Sequence, residues 1–330
     1  MPPKKILALA LVSGGLDSAL AAKLVRNQGI VLTAVHFASP FWDDGEKYPA
    51  RIAEKLGIPF KKIPLRNDYL KMLRNPEHGY GSAINPCIDC HAFMFRKAWK
   101  TGKKMGVKFL VTGEVLGQRP MSQHLQALRI IEKETNLVGR ILRPLSARLL
   151  TETEPEKKGW VDRGKLLAIQ GRSRKPQLAI SGEFSADDYA CAAGGCLLTM
   201  EGFAKKLKDL FRRKKDITWN DIKLLKLGRH FRYHQNRIIV GRNQGENEAL
   251  RKLKPKEDYI FRVPIIESPV TILQGPKTKT AIRLTARLTA RYSDSQAKRV
   301  TVEYGRTKPV KKIIVSPAPQ SLAARLNLSL

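Results

Sequence analysis

Ala10-Leu11-Val12-Ser13-Gly14-Gly15-Leu16-Asp17-Ser18 is the stretch that decides the fold. The apolar run Ile6–Val12 that leads into it reads as a buried strand. Leu16, Leu20, Leu24 and Val25 then fall on one face of a helix. Strand, glycine turn and helix together aim backbone N–H groups and a helix N-terminus at a phosphate. Gly14 and Gly15 allow close approach of the backbone, and Ser13 and Ser18 add hydroxyls. Asp17 is out of place in an anion pocket unless it serves a metal ion, Mg2+, that rides on the phosphates. The plain structural alternative is a tight turn with Asp17 as a helix cap.

The surrounding chain narrows the choice. Its 330 residues suggest two or three domains, and 42% hydrophobic residues suffice for ordinary cores. Lys and Arg number 61 against 29 Asp and Glu, a net charge of +32. Balanced ion-pair networks cannot absorb that excess, so a polyanion is the expected partner, nucleic acid before an anionic membrane. No apolar run approaches a membrane span. Met1–Lys5 followed by Ile6–Val12 imitates a signal peptide only faintly, and is read as the first buried strand. Four cysteines make no disulfide framework in a chain of this length. A reducing cytoplasm is the expected compartment.

Strand and helix patterns alternate over residues 1–150. Ile30–Phe37, Pro59–Leu65, Val107–Val111 and Ile141–Leu145 read as strands, and Glu46–Leu56, His91–Gly106 and Ser122–Glu134 as helices, with Ser122 a candidate N-cap. Residues 67–85 read as loop. The prediction is an α/β domain with a doubly wound, mostly parallel sheet, whose ligands sit beyond the carboxyl ends of the strands. The phosphate loop and Thr112–Gln118 both follow strands, so both can face one crevice. Residues 151–230 read as an irregular, cysteine-containing extension with a strand at Lys165–Gln170 and two basic helices, Phe203–Lys215 and Trp219–Leu227. Gly159 to Lys165 imitates a Walker A spacing, but Leu166 replaces the Ser or Thr that would bind Mg2+, and no strand precedes it. Residues 231–330 read as a basic α+β domain with 20 Lys/Arg against 7 Asp/Glu. Within it Arg283, Arg287 and Arg291 recur every fourth residue on a helix, a stripe suited to a phosphate backbone or simply a solvated face.

The second chemical signal is Asn85-Pro86-Cys87-Ile88-Asp89-Cys90, paired with Cys191 and Cys196 in Cys-Ala-Ala-Gly-Gly-Cys. Thiols at a helix N-terminus are activated by it. Three readings stay open: a catalytic [4Fe-4S] cluster held by Cys87, Cys90 and Cys196, persulfide transfer with one cysteine resolving another, and structural zinc on all four. Four incidental thiols are the plain alternative. Cys191 lacks the adjoining glycines and reads as the bystander.

These motifs carry a resemblance. Ser13–Ser18 resembles the pyrophosphate-binding loop of the PP-loop ATP pyrophosphatases. Val111 to Gln118, Ser122-Gln123 and Leu142-Arg143-Pro144-Leu145 are similar to the catalytic domain of the tRNA 4-thiouridine synthases. Asn85-Pro86-Cys87-x-x-Cys90 resembles the tRNA 2-thiouridylases, and Tyr233, Gly241-Arg242-Asn243 and Glu246-Asn247 resemble the NFACT RNA-binding domain. The resemblance implies an adenine nucleotide alpha hydrolase-like fold and an enzyme that adenylates a uracil carbonyl of tRNA or another RNA, then replaces the oxygen with sulfur. ATP and Mg2+ are implied cofactors, and a sulfur donor protein or inorganic sulfide an implied partner. The implied nucleotide site comprises Ser13, Gly14, Gly15, Asp17, Ser18, His36, Thr112, Gly113 and Gln118. Asp17, Cys87 and Cys196 are the implied catalytic residues, and Arg242, Arg283, Arg287 and Arg291 the expected RNA contacts. A core histidine at 36 and turn polarity at Gln118 and Glu114 are the alternatives. The thiouridine synthases carry an N-terminal RNA-binding region, and some a C-terminal rhodanese-like sulfur carrier. Neither is expected here, so residues 203–330 are expected to capture RNA. Two rival functions are a small-molecule adenylating ligase or amidotransferase of the same fold, disfavoured by the basic C-terminal half, and a non-enzymatic ribosome- or RNA-binding protein, disfavoured by the intact loop.

Overall fold

Parallel strands stand where the apolar runs predict them. The structure, a computed structural model, describes residues 5–42, 47–182, 184–190 and 195–328. Its two compact units are Met1–Leu197 and Leu198–Leu330.

The first unit runs β1 (Leu7–Leu11), α1 (Leu16–Arg26), β2 (Val31–Ala38), α2 (Lys47–Lys55), β3 (Phe60–Pro64), α3 (Asn67–Arg74), α4 (Cys87–Lys103), β4 (Phe109–Thr112), α5 (Leu125–Thr135), β5 (Ile141–Leu142), α6 (Glu154–Lys157) and α7 (Lys175–Ala179). The sheet order is β3-β2-β1-β4-β5, all parallel. The order reverses between β1 and β4, which creates the crevice where α/β sheets bind ligands. The loops after those two strands are Ser13–Gly15 and Gly113–Gln118. The helices seal the sheet with buried side chains such as Leu16, Leu20 and Ile52, which meet Phe109 of β4 in one core, each worth about 1.5–3 kcal/mol on burial.

Four expectations are corrected. Residues 67–74 form a helix, because Tyr69, Leu70 and Leu73 share one buried face. The helix expected from His91 begins at Cys87, so both cysteines of the pair lie in its first turn. Ser122 is buried rather than capping; the exposed His124 caps α5, its Nδ1 accepting from Ala127 N–H at 3.2 Å. Lys165–Gln170 is no strand, and makes one isolated bridge, Leu116 to Gln170. The Walker-like segment at Gly164 is a 3-10 turn capped by Asp162. Val161, Leu166 and Phe184 join the core of this unit, so the extension packs onto the sheet domain. Glu46 and Cys191 lie outside the described residues.

The second unit runs α8 (Glu201–Arg213), α9 (Trp219–Leu225), β6 (Arg229–Tyr233), β7 (Asn236–Val240), α10 (Gln244–Leu253), β8 (Tyr259–Arg262), β9 (Thr271–Gln274), α11 (Lys279–Arg291), β10 (Val300–Gly305), β11 (Lys311–Val315) and α12 (Gln320–Leu326). Its antiparallel sheet has the order β11-β10-β8-β9-β7-β6. Period-two alternation builds two cores. Ile238, Val240, Phe261 and Val302 pack with Leu288 of α11, whereas Ile239 and Ile272 pack with Leu224 and Leu250. The β6–β7 hairpin turns on His234-Gln235, with His234 at φ +48°.

Candidate active site

The phosphate loop is knitted by its own serines. The buried Ser18 hydroxyl donates to Gly15 O at 2.8 Å and accepts from Ser13 N–H at 3.3 Å. Ser13 is exposed, and its Oγ accepts from Gly15 N–H at 3.4 Å. Gly14 has φ +96°, a conformation that favours glycine. Asp17 opens the first turn of α1 without capping it. One carboxylate oxygen, Oδ2, accepts from Gln118 Nε2 at 2.8 Å; the other, Oδ1, is buried with no hydrogen-bond partner among the described residues. An orphaned carboxylate oxygen beside a phosphate loop fits a divalent cation.

A line of amides holds that oxygen in place. A carboxylate only accepts, so Gln118 turns Nε2 to Asp17 and Oε1 away. Gln177, fully buried on α7, donates Nε2 to that Oε1 at 3.3 Å. Sequence reasoning did not single out Gln177, because nothing local marks a glutamine in an irregular, charged segment. The extension also ties the loop directly, through Ala190 N–H to Gly14 O at 2.8 Å.

Thr112, Gly113 and Glu114 close the other side. Thr112 is buried, and its hydroxyl donates to Glu114 Oε2 at 3.1 Å and accepts from Glu114 N–H at the same distance. A Cβ on Gly113 would lie 2.5 Å from Ser18 N and 2.6 Å from the Asp17 carbonyl carbon. His36 is buried on β2, with Nδ1 3.1 Å from Val12 O and its ring stacked 6.5 Å from Phe60. It supports the strand that feeds the loop.

Glu114 anchors a buried ionic cluster. Its Oε2 accepts from Arg143 Nε at 2.9 Å and its Oε1 lies 2.7 Å from His91 Nδ1. Arg143 also pairs with Glu132. Burial alone would raise the Glu114 carboxyl, but Arg143 and His91 outweigh it and hold it at about 2.

His91 links this cluster to the thiols, since it follows Cys90 on α4. Cys87 accepts from Asn85 Nδ2 at 3.3 Å. The Cys90 sulfur lies 3.2 Å from the hydroxyl of Tyr69, a fully buried ring set 5.4 Å edge-on to Phe93. Loss of water pushes the Cys90 thiol up to about 12; Tyr69 pulls it down, and Cys196 and Cys87 push it up. Cys196 is brought in by the hydrogen bond from Leu197 N–H to Phe41 O at 2.8 Å, just beyond β2. Cys87 and Cys196 both lie within electrostatic reach of Cys90. Among the described residues, no three His, Cys, Asp or Glu side chains are arranged to hold a metal ion.

In the second unit the expected RNA contacts separate. Arg283 is exposed. Arg287 donates Nε to Ser316 O at 3.2 Å, and Arg291 donates Nη1 to Ala318 O at 2.8 Å, so these two hold the segment before α12. Arg242 is exposed and makes a bidentate pair with Glu246, Nε to Oε1 at 2.9 Å.

Comparison with known proteins assigns both units. Residues 5–148 match the family model of the thiamine biosynthesis protein ThiI. Residues 228–324 match the NFACT protein RNA binding domain. A probable tRNA sulfurtransferase of Halothermothrix orenii is 32% identical over 152 residues, 44% of this chain and 36% of that protein. The tRNA-specific 2-thiouridylase MnmA of Deinococcus radiodurans is 28% identical over 123 residues, 32% of each chain. This chain thus spans about a third of the length of the curated relatives it matches. A crystal structure of a 4-thiouridine synthetase–RNA complex with bound ATP is 24% identical, covers 67% of this chain and 52% of that one, and gives a TM-score of 0.38.

The first unit depends on the close approach at Gly113. Gly113→Ala forces backbone apart at the first turn of α1, where no flexible side chain can yield. The expected loss is about 1–3 kcal/mol together with weakened ATP binding, read by thermal unfolding and by nucleotide titration.

Proposed function

We propose that the chain is an ATP-dependent RNA sulfurtransferase that thiolates a uridine, with tRNA the substrate. The observation that carries this reading is the union, in one unit, of a PP-loop with an orphaned aspartate oxygen and three neighbouring cysteines, joined through His91 and Glu114. The curated relatives, a sulfurtransferase and a 2-thiouridylase of tRNA, are consistent with it.

The residues divide the work as follows. Backbone N–H groups of Ser13–Ser18 and the N-terminus of α1 receive the ATP phosphates. Asp17, oriented by Gln118, presents Oδ1 to Mg2+, which would neutralise charge on the departing pyrophosphate. A uracil carbonyl oxygen attacks the α-phosphorus and pyrophosphate leaves, which converts a poor leaving group into AMP. Sulfur then arrives on a thiol as a persulfide, loaded by a sulfur donor protein. Its terminal sulfur attacks the activated carbon and AMP leaves with the oxygen. A second thiol attacks the inner sulfur, which leaves the thiocarbonyl on the base and a disulfide between the two cysteines. A thiol reductant restores them. Cys87 and Cys196 are the pair assigned to these steps, with Cys90 held by Tyr69. The NFACT-like unit supplies RNA capture, and a cytoplasmic location goes with the function. No helix among the described residues is long and apolar enough to cross a membrane.

Mass spectrometry of RNA nucleosides from cells lacking the protein tests this reading. One thiolated uridine is expected to be missing, and an unchanged nucleoside profile refutes it. Anaerobic purification tests the thiol assignment. A colourless protein that releases sulfide on reduction supports the persulfide route, and a brown protein returns the thiols to an iron–sulfur cluster.

A further inference from the structure

Besides the arginines of α11, two of which donate to backbone carbonyls, the second unit has another cationic surface. A cavity of about 390 Å³ opens beside the β10–β11 turn. Arg306, Lys308 and Lys311 contribute its cationic part and Tyr259 and Val310 its apolar part, and among the described residues no carboxylate lines it.

The two kinds of wall match the two parts of a nucleotide. Phe261, Tyr304 and Tyr259 form a row of rings, with Tyr304 stacked on Phe261 at 5.3 Å and 14°, and Tyr259 6.1 Å from Tyr304. Phe261 is fully buried in the core, whereas Tyr259 is half-buried at the end of the row, where the cavity begins. The ring is therefore fixed from behind, and a platform already rigid loses little entropy on binding. Lys277 Nζ lies over the Tyr259 ring, 5.6 Å from its centroid, and is the cation that a stacked base would displace. The turn is pinned as well. Arg306 donates Nε to Lys256 O at 3.2 Å, which leaves its terminal amino groups for a phosphate, and Val310 N–H donates to Lys308 O at 3.0 Å. Val310 is 74% exposed, an apolar side chain standing in water among cations.

We infer that this cavity holds one nucleotide of single-stranded RNA, with its base against Tyr259 and Val310 and its phosphate on Arg306, Lys308 and Lys311. The inference rests on the RNA-directed function proposed above and names the site. Duplex RNA would present its phosphates but keep its bases stacked, so it would use the cations and leave the ring untouched.

The test uses the full chain and fluorescence anisotropy, with a short labelled single-stranded RNA and a matched abasic oligomer. The natural protein is expected to bind the base-bearing oligomer about tenfold more tightly, the scale of one base–aromatic stack. Tyr259→Ala removes that preference and Tyr259→Phe keeps it. Val310→Glu, at an exposed position where folding is indifferent, weakens both oligomers. Lys308→Ala with Lys311→Ala lowers the salt slope by about 0.7 for each phosphate that is no longer neutralised. Equal binding of both oligomers by the natural protein overturns the site, as does a base preference that survives in Tyr259→Ala and Val310→Glu. Normal RNA binding with those outcomes leaves the proposed function standing, whereas a full chain that binds no RNA removes both.

Discussion

Asp17→Asn stops RNA-dependent pyrophosphate release, with an expected loss of about 10³-fold. The magnitude follows from the several kcal/mol that a metal-bound charge supplies to phosphate chemistry, at tenfold per 1.36 kcal/mol. The substitution is isosteric. Asparagine can turn its oxygen to Gln118 and keep the 2.8 Å hydrogen bond, which places its NH2 group where the unpartnered Oδ1 now stands. Fold and loop are retained, while the oxygen available to a cation becomes a donor. Thermal unfolding should be unchanged, and ATP binding in the presence of EDTA should be unchanged, while the added affinity conferred by Mg2+ disappears. A variant that keeps activity within tenfold of the natural protein would show that Asp17 serves only the polarity of the first turn of α1.

Arg143→Met is the most destabilising single change expected in the first unit. Arg143 is 3% exposed and serves Glu114 and Glu132 at once. Its removal strands the Glu114 carboxylate, itself 5% exposed, with His91 as its remaining ionic partner among the described residues. Breaking a buried pair in this way costs about 3–5 kcal/mol, or about 6–20 °C in melting temperature for a unit of this size. The pH dependence carries the signature. In the natural protein Glu114 is held at about 2 against an ordinary 4.5. Its contribution, about 3 kcal/mol, is complete above pH 4.5 and is lost as pH falls from there toward 2. In Arg143→Met burial dominates and the carboxyl rises above its ordinary value, so its contribution reverses sign and fades as pH rises. Stability measured by denaturant between pH 3 and 7 reads this directly. Adding Glu114→Gln to Arg143→Met should recover part of the loss, because a neutral amide is cheaper to bury than an unpaired charge. No recovery, or an unchanged acid limb in the single variant, would show that the cluster is held by packing instead.

Legibility in the sequence follows the range of the signal. Ser13–Ser18 is legible because strand, glycines and helix are consecutive, and hydrophobic period alone sets β1 and α1. Gly113 is legible as part of a motif, but its reason, a close backbone approach to Asp17 and Ser18, joins residues almost a hundred positions apart. The thiols are legible as reactive residues. Tyr69, which occupies Cys90, is not, because residues 67–74 read as loop until their three apolar side chains find a common face. The arginine spacing on α11 does mark one stripe, yet spacing carries no information about the carbonyls of Ser316 and Ala318 that take up two of its members.

By itself the sequence determined a parallel α/β unit with a phosphate loop at its first strand, a basic α+β unit after it, and three cysteines in motifs that suggest chemistry. Periodicity and turn chemistry are local, and local rules suffice for these. Only the tertiary structure decided that the 151–197 extension completes the loop through Gln177 and Ala190, that Glu114 lies in an ion cluster, and that Arg287 and Arg291 donate to the carbonyls of Ser316 and Ala318. Each of these depends on which distant groups desolvate one another, and that is fixed by packing.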